Sequence, residues 1–168
     1  MKSRHLLLTL LLLFGLSGVI HAENSLTLED LGLPPLPDSS PSAVLKFEDA
    51  QKKALNGDAK AQFQLGWMYS KGQGVPKDNT EAVKWYRLAA DQGGAGAQFR
   101  LGYMYAAGEG VPKNDIKAYV WYSLAKAQSY RGAVELIEML KEDMSREQIA
   151  EGQALAARCS ESNYKDCD

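Results

Sequence analysis

The chain has 168 residues and a mass of 18.4 kDa; 45% of it is hydrophobic and 24% charged, the proportions of one globular domain. Its 19 basic side chains stand against 21 acidic ones for a formal charge of −2, which excludes a nucleic-acid binder held by bulk phosphate attraction. The whole chain carries two histidines, His5 and His21, and two cysteines, Cys159 and Cys167.

Residues 1–22 read as a Sec-type signal peptide. Lys2 and Arg4 start it, Leu6 to Ile20 is a nearly unbroken apolar run, and Ala22 precedes a cut at Glu23. The run is shorter than the roughly 20 residues of a spanning helix, and no cysteine near the cut marks a lipoprotein. The expected location is periplasmic or secreted, with no membrane insertion after cleavage. Cleavage would remove both histidines and leave the rest at −4. Without histidine there is no Ser-His-Asp or Cys-His site and no imidazole for zinc. We therefore assign no catalytic residue, no metal ligand and no cofactor.

Residues 23–41 hold Pro34, Pro35, Pro37 and Pro41 and read as an extended linker. Beyond it, Ser42 is placed to cap a helix over residues 43–56, ended by Gly57.

The central feature is a repeat. Ala61-Gln62-Phe63-Gln64-Leu65-Gly66 returns as Ala97-Gln98-Phe99-Arg100-Leu101-Gly102. The glycine segments Gly72-x-Gly74-Val75-Pro76-Lys77 and Gly108-x-Gly110-Val111-Pro112-Lys113 match, as do Trp85-Tyr86-x-Leu88-Ala89 and Trp121-Tyr122-x-Leu124-Ala125. Every pair is offset by 36, and residues 57–92 share about 20 of 36 positions with residues 93–128. Such a period marks a stacked array. Ala61, Leu65, Met68 and Tyr69 fall on one helical face; Gly72, Gly74 and Pro76 stop that helix. Asp78 and Glu81 read as a capping box for a second helix, whose apolar face is Ala82, Trp85, Tyr86 and Ala89. Asn114 takes the place of Asp78 in the next unit. Downstream, the pattern predicts helices over about 130–143 and 146–158, the latter capped by Ser145 with Gln148 and polar enough to close the stack.

Cys159 and Cys167 read as a disulfide closing the tail 159–168, as suits an exported chain. A loop this short restrains the unfolded chain by about 2–3 kcal/mol, and its expected work is to stop the last helix fraying.

The segments just quoted resemble the Sel-1-like repeat, a relative of the tetratricopeptide repeat, over about residues 43–158. The closing helix resembles that of small exported bacterial members. The resemblance implies an all-α, right-handed superhelix of antiparallel helix pairs, about seven helices in all. Its full repeats would cover about 58–93 and 94–129. It also implies an adaptor that holds a protein or peptide in a concave groove. Carried over position by position, that groove would present Lys60, Phe63, Trp67 and Ser70, then Phe99, Tyr103 and Ala106. Trp67 and Tyr103 are the better contact residues, because Phe63 and Phe99 serve equally well as repeat core.

Other motifs carry less. Gly72-Gln73-Gly74 and Gly108-Glu109-Gly110 follow helices, where a dinucleotide loop would follow a strand. Ser123-x-x-Lys126 and Ser162-x-x-Lys165 lack the partner motifs of penicillin-recognising enzymes. Cysteine-rich relatives described as penicillin-binding carry cysteines in each repeat, which this chain does not. Glu135, Glu138 and Glu142 share a helical face that reads as solvated rather than as the divided carboxylates of a glycosidase. Residues 43–134 are net +5 and residues 135–168 net −5. The expectation is a monomeric, non-catalytic adaptor. The alternatives are a β-lactamase-like or wall-hydrolysing envelope enzyme, and a regulatory subunit that binds a cell-wall enzyme or glycan.

Overall fold

A computed structural model describes residues 40–167; the signal peptide expected at 1–22 and nearly all of the linker expected at 23–41 lie outside the described residues. The described chain is a stack of seven helices: α1 Pro41–Leu55, α2 Ala59–Lys71, α3 Asn79–Ala90, α4 Ala95–Ala107, α5 Asp115–Ala127, α6 Ala133–Asp143 and α7 Arg146–Glu161. No strand occurs among the described residues. The architecture is the all-α solenoid that the repeat implied.

Each helix starts on a side chain or turn legible in the sequence, with some shifts. α1 is capped by Ser40, not Ser42: the Ser40 hydroxyl accepts from the Ala43 amide, and Pro41 takes the first helical turn, where its missing N–H costs nothing. The helix therefore begins two residues before the predicted Ala43. Asp58, Asp78 and Asn114 cap α2, α3 and α5 through their side-chain oxygens. The reciprocal half of the Asp78–Glu81 box is replaced. The Asp78 amide donates to the Tyr69 carbonyl at 3.0 Å, and the Glu81 carboxylate pairs with Lys84. The Ser145–Gln148 box is complete. α6 begins at Ala133 rather than near 130, because Gly132 at φ +85° turns the chain immediately before it.

α2 packs on α3 and α4 on α5 within the two repeats, while α1–α2 and α3–α4 are the junctions between units. α6 and α7 both pack on α5 and close the stack. Gly66 and Gly102 make the hairpins tight: a Cβ there would stand 2.7 Å from the ring of Tyr86 or Tyr122. Those tyrosines, with Trp121, are among the largest fully buried side chains. Trp121 is 0% exposed in a cluster that brings Ala89 and Ala90 of α3 together with Leu155 and Cys159 of α7. Its counterpart Trp85 sits against the first-helix cluster of Ala54, Leu65 and Phe47 and stays partly open.

The disulfide Cys159–Cys167 is present. It does more than hold the end of α7. Both cysteines are buried in one cluster with Ala89, Ala90, Leu101 and Trp121, and Tyr164 lies over Gly93 at the repeat junction. The tail is thus part of the core of both repeats, a role that spacing between two cysteines does not reveal.

Candidate functional site

The first helices of the successive units, α2, α4 and α6, form one layer, and the depressions between them are the candidate binding surface. Between α2 and α4 lies a hollow of about 190 Å³ containing Ser70, Lys71, Lys77, Tyr86, Arg100, Tyr103 and Glu109. Between α4 and α6 lies one of about 320 Å³, walled by Tyr103, Ala106, Leu136, Met139 and Leu140, with Lys113, Asp115 and Asp143 at its edge. A third, of about 270 Å³ and almost wholly apolar, includes Lys60, Phe63, Ala89, Gly96 and Ala97 near the starts of α2 and α4.

These hollows gather five of the seven predicted groove residues. Ser70 meets Tyr103 in the first, Tyr103 meets Ala106 in the second, and Lys60 meets Phe63 in the third. Tyr103 is 43% exposed and walls two hollows at once. Trp67 packs instead, half-buried, against the Ala82, Tyr86 and Met104 cluster. Phe99 lies 5.5 Å from the Tyr122 ring and 4.8 Å from that of Tyr130, and faces Gly132 across the junction. Phe63 does both jobs: its ring is 5.7 Å from Tyr86 and reaches Gly96, one repeat before Gly132.

The polar groups of the first hollow have defined partners. Ser70 Oγ donates to the Trp67 carbonyl at 2.8 Å and lies 3.3 Å from the Tyr86 hydroxyl. Glu109 accepts from the Asn79 amide at 3.2 Å and from the Tyr103 hydroxyl at 3.3 Å, so both its oxygens are engaged. Burial raises the Tyr86 phenol above its ordinary value, with Ser70 and then Arg100 opposing. Burial likewise pushes the Tyr122 phenol up to about 12; nearby Tyr103 adds to the rise and Arg100 opposes it. The Arg100 charge is thus felt by both buried phenols.

Arg100, Lys71, Leu136, Met139 and Leu140 were not among the predicted groove residues. Met139 was within reach, since the 36-residue offset from Trp67 to Tyr103, taken once more, lands on it. Of the other motifs, Gly72 and Gly108 end α2 and α4 in the left-handed conformation at φ +70° and +69°, a helix stop. Glu135, Glu138 and Glu142 are exposed on α6, and Glu138 pairs with Lys141 at 2.8 Å. Among the described residues, no three His, Cys, Asp or Glu side chains gather as a metal site, and no helix is long and apolar enough to cross a membrane.

Comparison with known proteins agrees with this geometry. The profile of the Sel1 repeat matches residues 59–94 and 95–130. The secretory immunoglobulin A-binding protein EsiB of Escherichia coli O6:H1 (strain CFT073) is 43% identical over 45 residues, which are 27% of this chain and 9% of that protein. A protective antigen of uropathogenic Escherichia coli strains, a crystal structure displaying an SLR fold, superposes with a TM-score of 0.67 at 29% identity, over 70% of this chain and 26% of that one. A Sel1 repeat protein from Oxalobacter formigenes superposes at 0.56 with 39% identity, over 67% of this chain and 43% of that one. The chain thus spans less than half the length of each of these relatives. Sel1 repeats are typically protein-interaction modules. With two matched segments, their shared 36-residue register and the SLR-type stack around them, the chain carries two Sel1 repeats.

Proposed function

We propose that this protein is an exported, non-catalytic interaction module that holds a protein or peptide across the α2–α4–α6 layer. The observation that carries the reading is the position of Tyr103: an exposed aromatic on the wall between two hollows, each framed by a buried tyrosine. Aromatic anchors beside preformed pockets supply much of the energy at such surfaces. Among the groove residues, Lys60, Phe63, Ser70 and Ala106 complete the surface, while Trp67 and Phe99 hold its shape.

The buried disulfide and the leader-like residues 1–22 support export to an oxidising compartment. The mass of the chain recovered from outside the cytoplasm tests it: an N-terminus at Glu23 supports the reading, and an intact Met1 opposes it.

The relative named for binding secretory immunoglobulin A supplies the first ligand to try, followed by a random peptide library displayed on phage. Tyr103→Ala should lower captured ligand about tenfold while the melting temperature and helical circular dichroism hold. Capture unchanged by Tyr103→Ala would remove the groove from the mechanism.

A further inference from the structure

The two hollows that share Tyr103 are copies of one another. Moving 36 residues along the chain carries Ser70 to Ala106, Tyr86 to Tyr122, Arg100 to Leu136, Tyr103 to Met139 and Met104 to Leu140; all ten residues line one hollow or the other. The repeat has kept the lining positions and changed the chemistry and the size, from about 190 to about 320 Å³. The α2–α4 hollow has hydroxyls and cations where the α4–α6 hollow has alkyl side chains.

Charge follows the same division. In the first hollow Lys71, Lys77 and Arg100 face one carboxylate, Glu109, whose two oxygens are engaged by Asn79 and Tyr103. Among the described residues none of those three cations stands in an ion pair. In the second hollow Lys113, the counterpart of Lys77, lies 3.4 Å from the Asp115 carboxylate, and the counterpart of Asp115 in the first is the uncharged Asn79. Arg100 is half-buried beside Tyr86 and Tyr103. A partly desolvated guanidinium outside any ion pair favours a ligand that brings a carboxylate, and its planar fork suits a bidentate one. Met139, 62% exposed, and Leu136 offer the neighbouring hollow only apolar contact.

We propose that the ligand is an extended peptide that places an Asp or Glu carboxylate on Arg100 and a bulky apolar side chain between Tyr103, Leu136 and Met139. This rests on the groove reading above and names the class of partner. Helices of one layer stand about one helix diameter apart, on the order of 10 Å, and extended chain advances about 3.3 Å per residue. The acidic and apolar residues are therefore about three positions apart in the ligand.

The test is selection of random ten-residue peptides on the purified, disulfide-intact protein, followed by affinity measurement on synthetic versions. The selected peptides should pair Asp or Glu with Leu, Ile, Phe or Met about three positions away, and bind more weakly as salt rises. Arg100→Leu installs the residue of the next repeat; it should lower affinity for those peptides about tenfold and abolish the acidic preference, while peptides in which Gln replaces the acid lose little. Leu136→Arg should transfer an acidic preference to the second hollow. Peptides that need Tyr103 yet show no acidic preference would overturn this assignment and leave the groove reading standing. If no peptide binds, or Tyr103→Ala leaves binding intact, both fall. Retention on cell-wall sacculi with no peptide selected would overturn it in favour of a glycan.

Discussion

The side-chain amide of Gln128 donates to Oε1 of Gln98 at 2.8 Å, and one repeat earlier Gln92 meets Gln62 in the same way at 2.7 Å. Each inner glutamine in turn donates backwards, Gln98 to the Ala90 carbonyl and Gln62 to the Ala54 carbonyl. The result is a polar ladder that ties the start of each repeat's first helix to the ends of the second helices before and after it.

Gln98 is 0% exposed, so its link to the Ala90 carbonyl is enclosed, while the outer glutamines Gln92 and Gln128 reach solvent. Gln98→Leu keeps volume but removes the enclosed donor to the Ala90 carbonyl and the acceptor of the Gln128 amide, which can turn to water. It should destabilise the fold by about 0.5–1.5 kcal/mol. Urea unfolding measures it; Gln64→Leu, on the exposed face of α2, is the control and should change little.

Gly110 lies at φ +73°, and a Cβ there would stand 2.3 Å from the Asn79 carbonyl oxygen. The neighbour is backbone and cannot swing aside. Gly57 has φ +88° with open space around it. Gly110→Ala should therefore cost well above the roughly 1–2 kcal/mol of left-handed strain that Gly57→Ala alone incurs. Equal losses in melting temperature for the two variants would contradict the close approach of the loop to α3.

Replacing both Cys159 and Cys167 by Ala opens the tail. The lost loop restraint is worth about 2–3 kcal/mol, and the cysteines also leave the cluster around Trp121. The expected readouts are a lower melting temperature and increased amide exchange in α7 and at Gly93, where Tyr164 rests. Exchange confined to residues after Glu161 would mean that the tail is not part of the core.

Stability should also fall at high pH. Burial first of all raises the Tyr122 phenol to about 12 and raises that of Tyr86, while an unfolded tyrosine titrates near 10. The folded chain thus holds these protons longer. The contribution is complete below about pH 10 and is lost as pH climbs toward about 12, by no more than about 3 kcal/mol for Tyr122. Denaturant titrations across that range should slope downward, and Tyr122→Phe should flatten its share of the slope.

Much of the fold was legible because its signals are local or repeated. Asp78, Asn114, Gly72 and Gly108 act within one turn of themselves, and a 36-residue offset exposes the hairpin twice. Small errors arose where two local signals competed. Ser40 and Ser42 both offer a capping hydroxyl near the start of α1, and Pro41 between them takes the first helical position, which leaves the cap to Ser40. Glu81 could complete a box, but Tyr69 already accepts from the Asp78 amide.

The candidate site divides along another line. Sequence alone established that the chain is a run of helical hairpins with a covalently closed end, since helix stops, caps and periodicity are written within a few residues of where they act. The resemblance to the repeat family nominated positions for a groove. Which of them remain open was settled by packing among three helices at once. Tyr103 stays 43% exposed, yet its counterpart Trp67 is drawn into the Tyr86 cluster. Phe99 is held by Tyr122 and Tyr130. That Arg100 and Leu136 occupy equivalent places in adjoining hollows became visible only once side chains far apart in the chain were brought face to face, because a pocket belongs to no single helix.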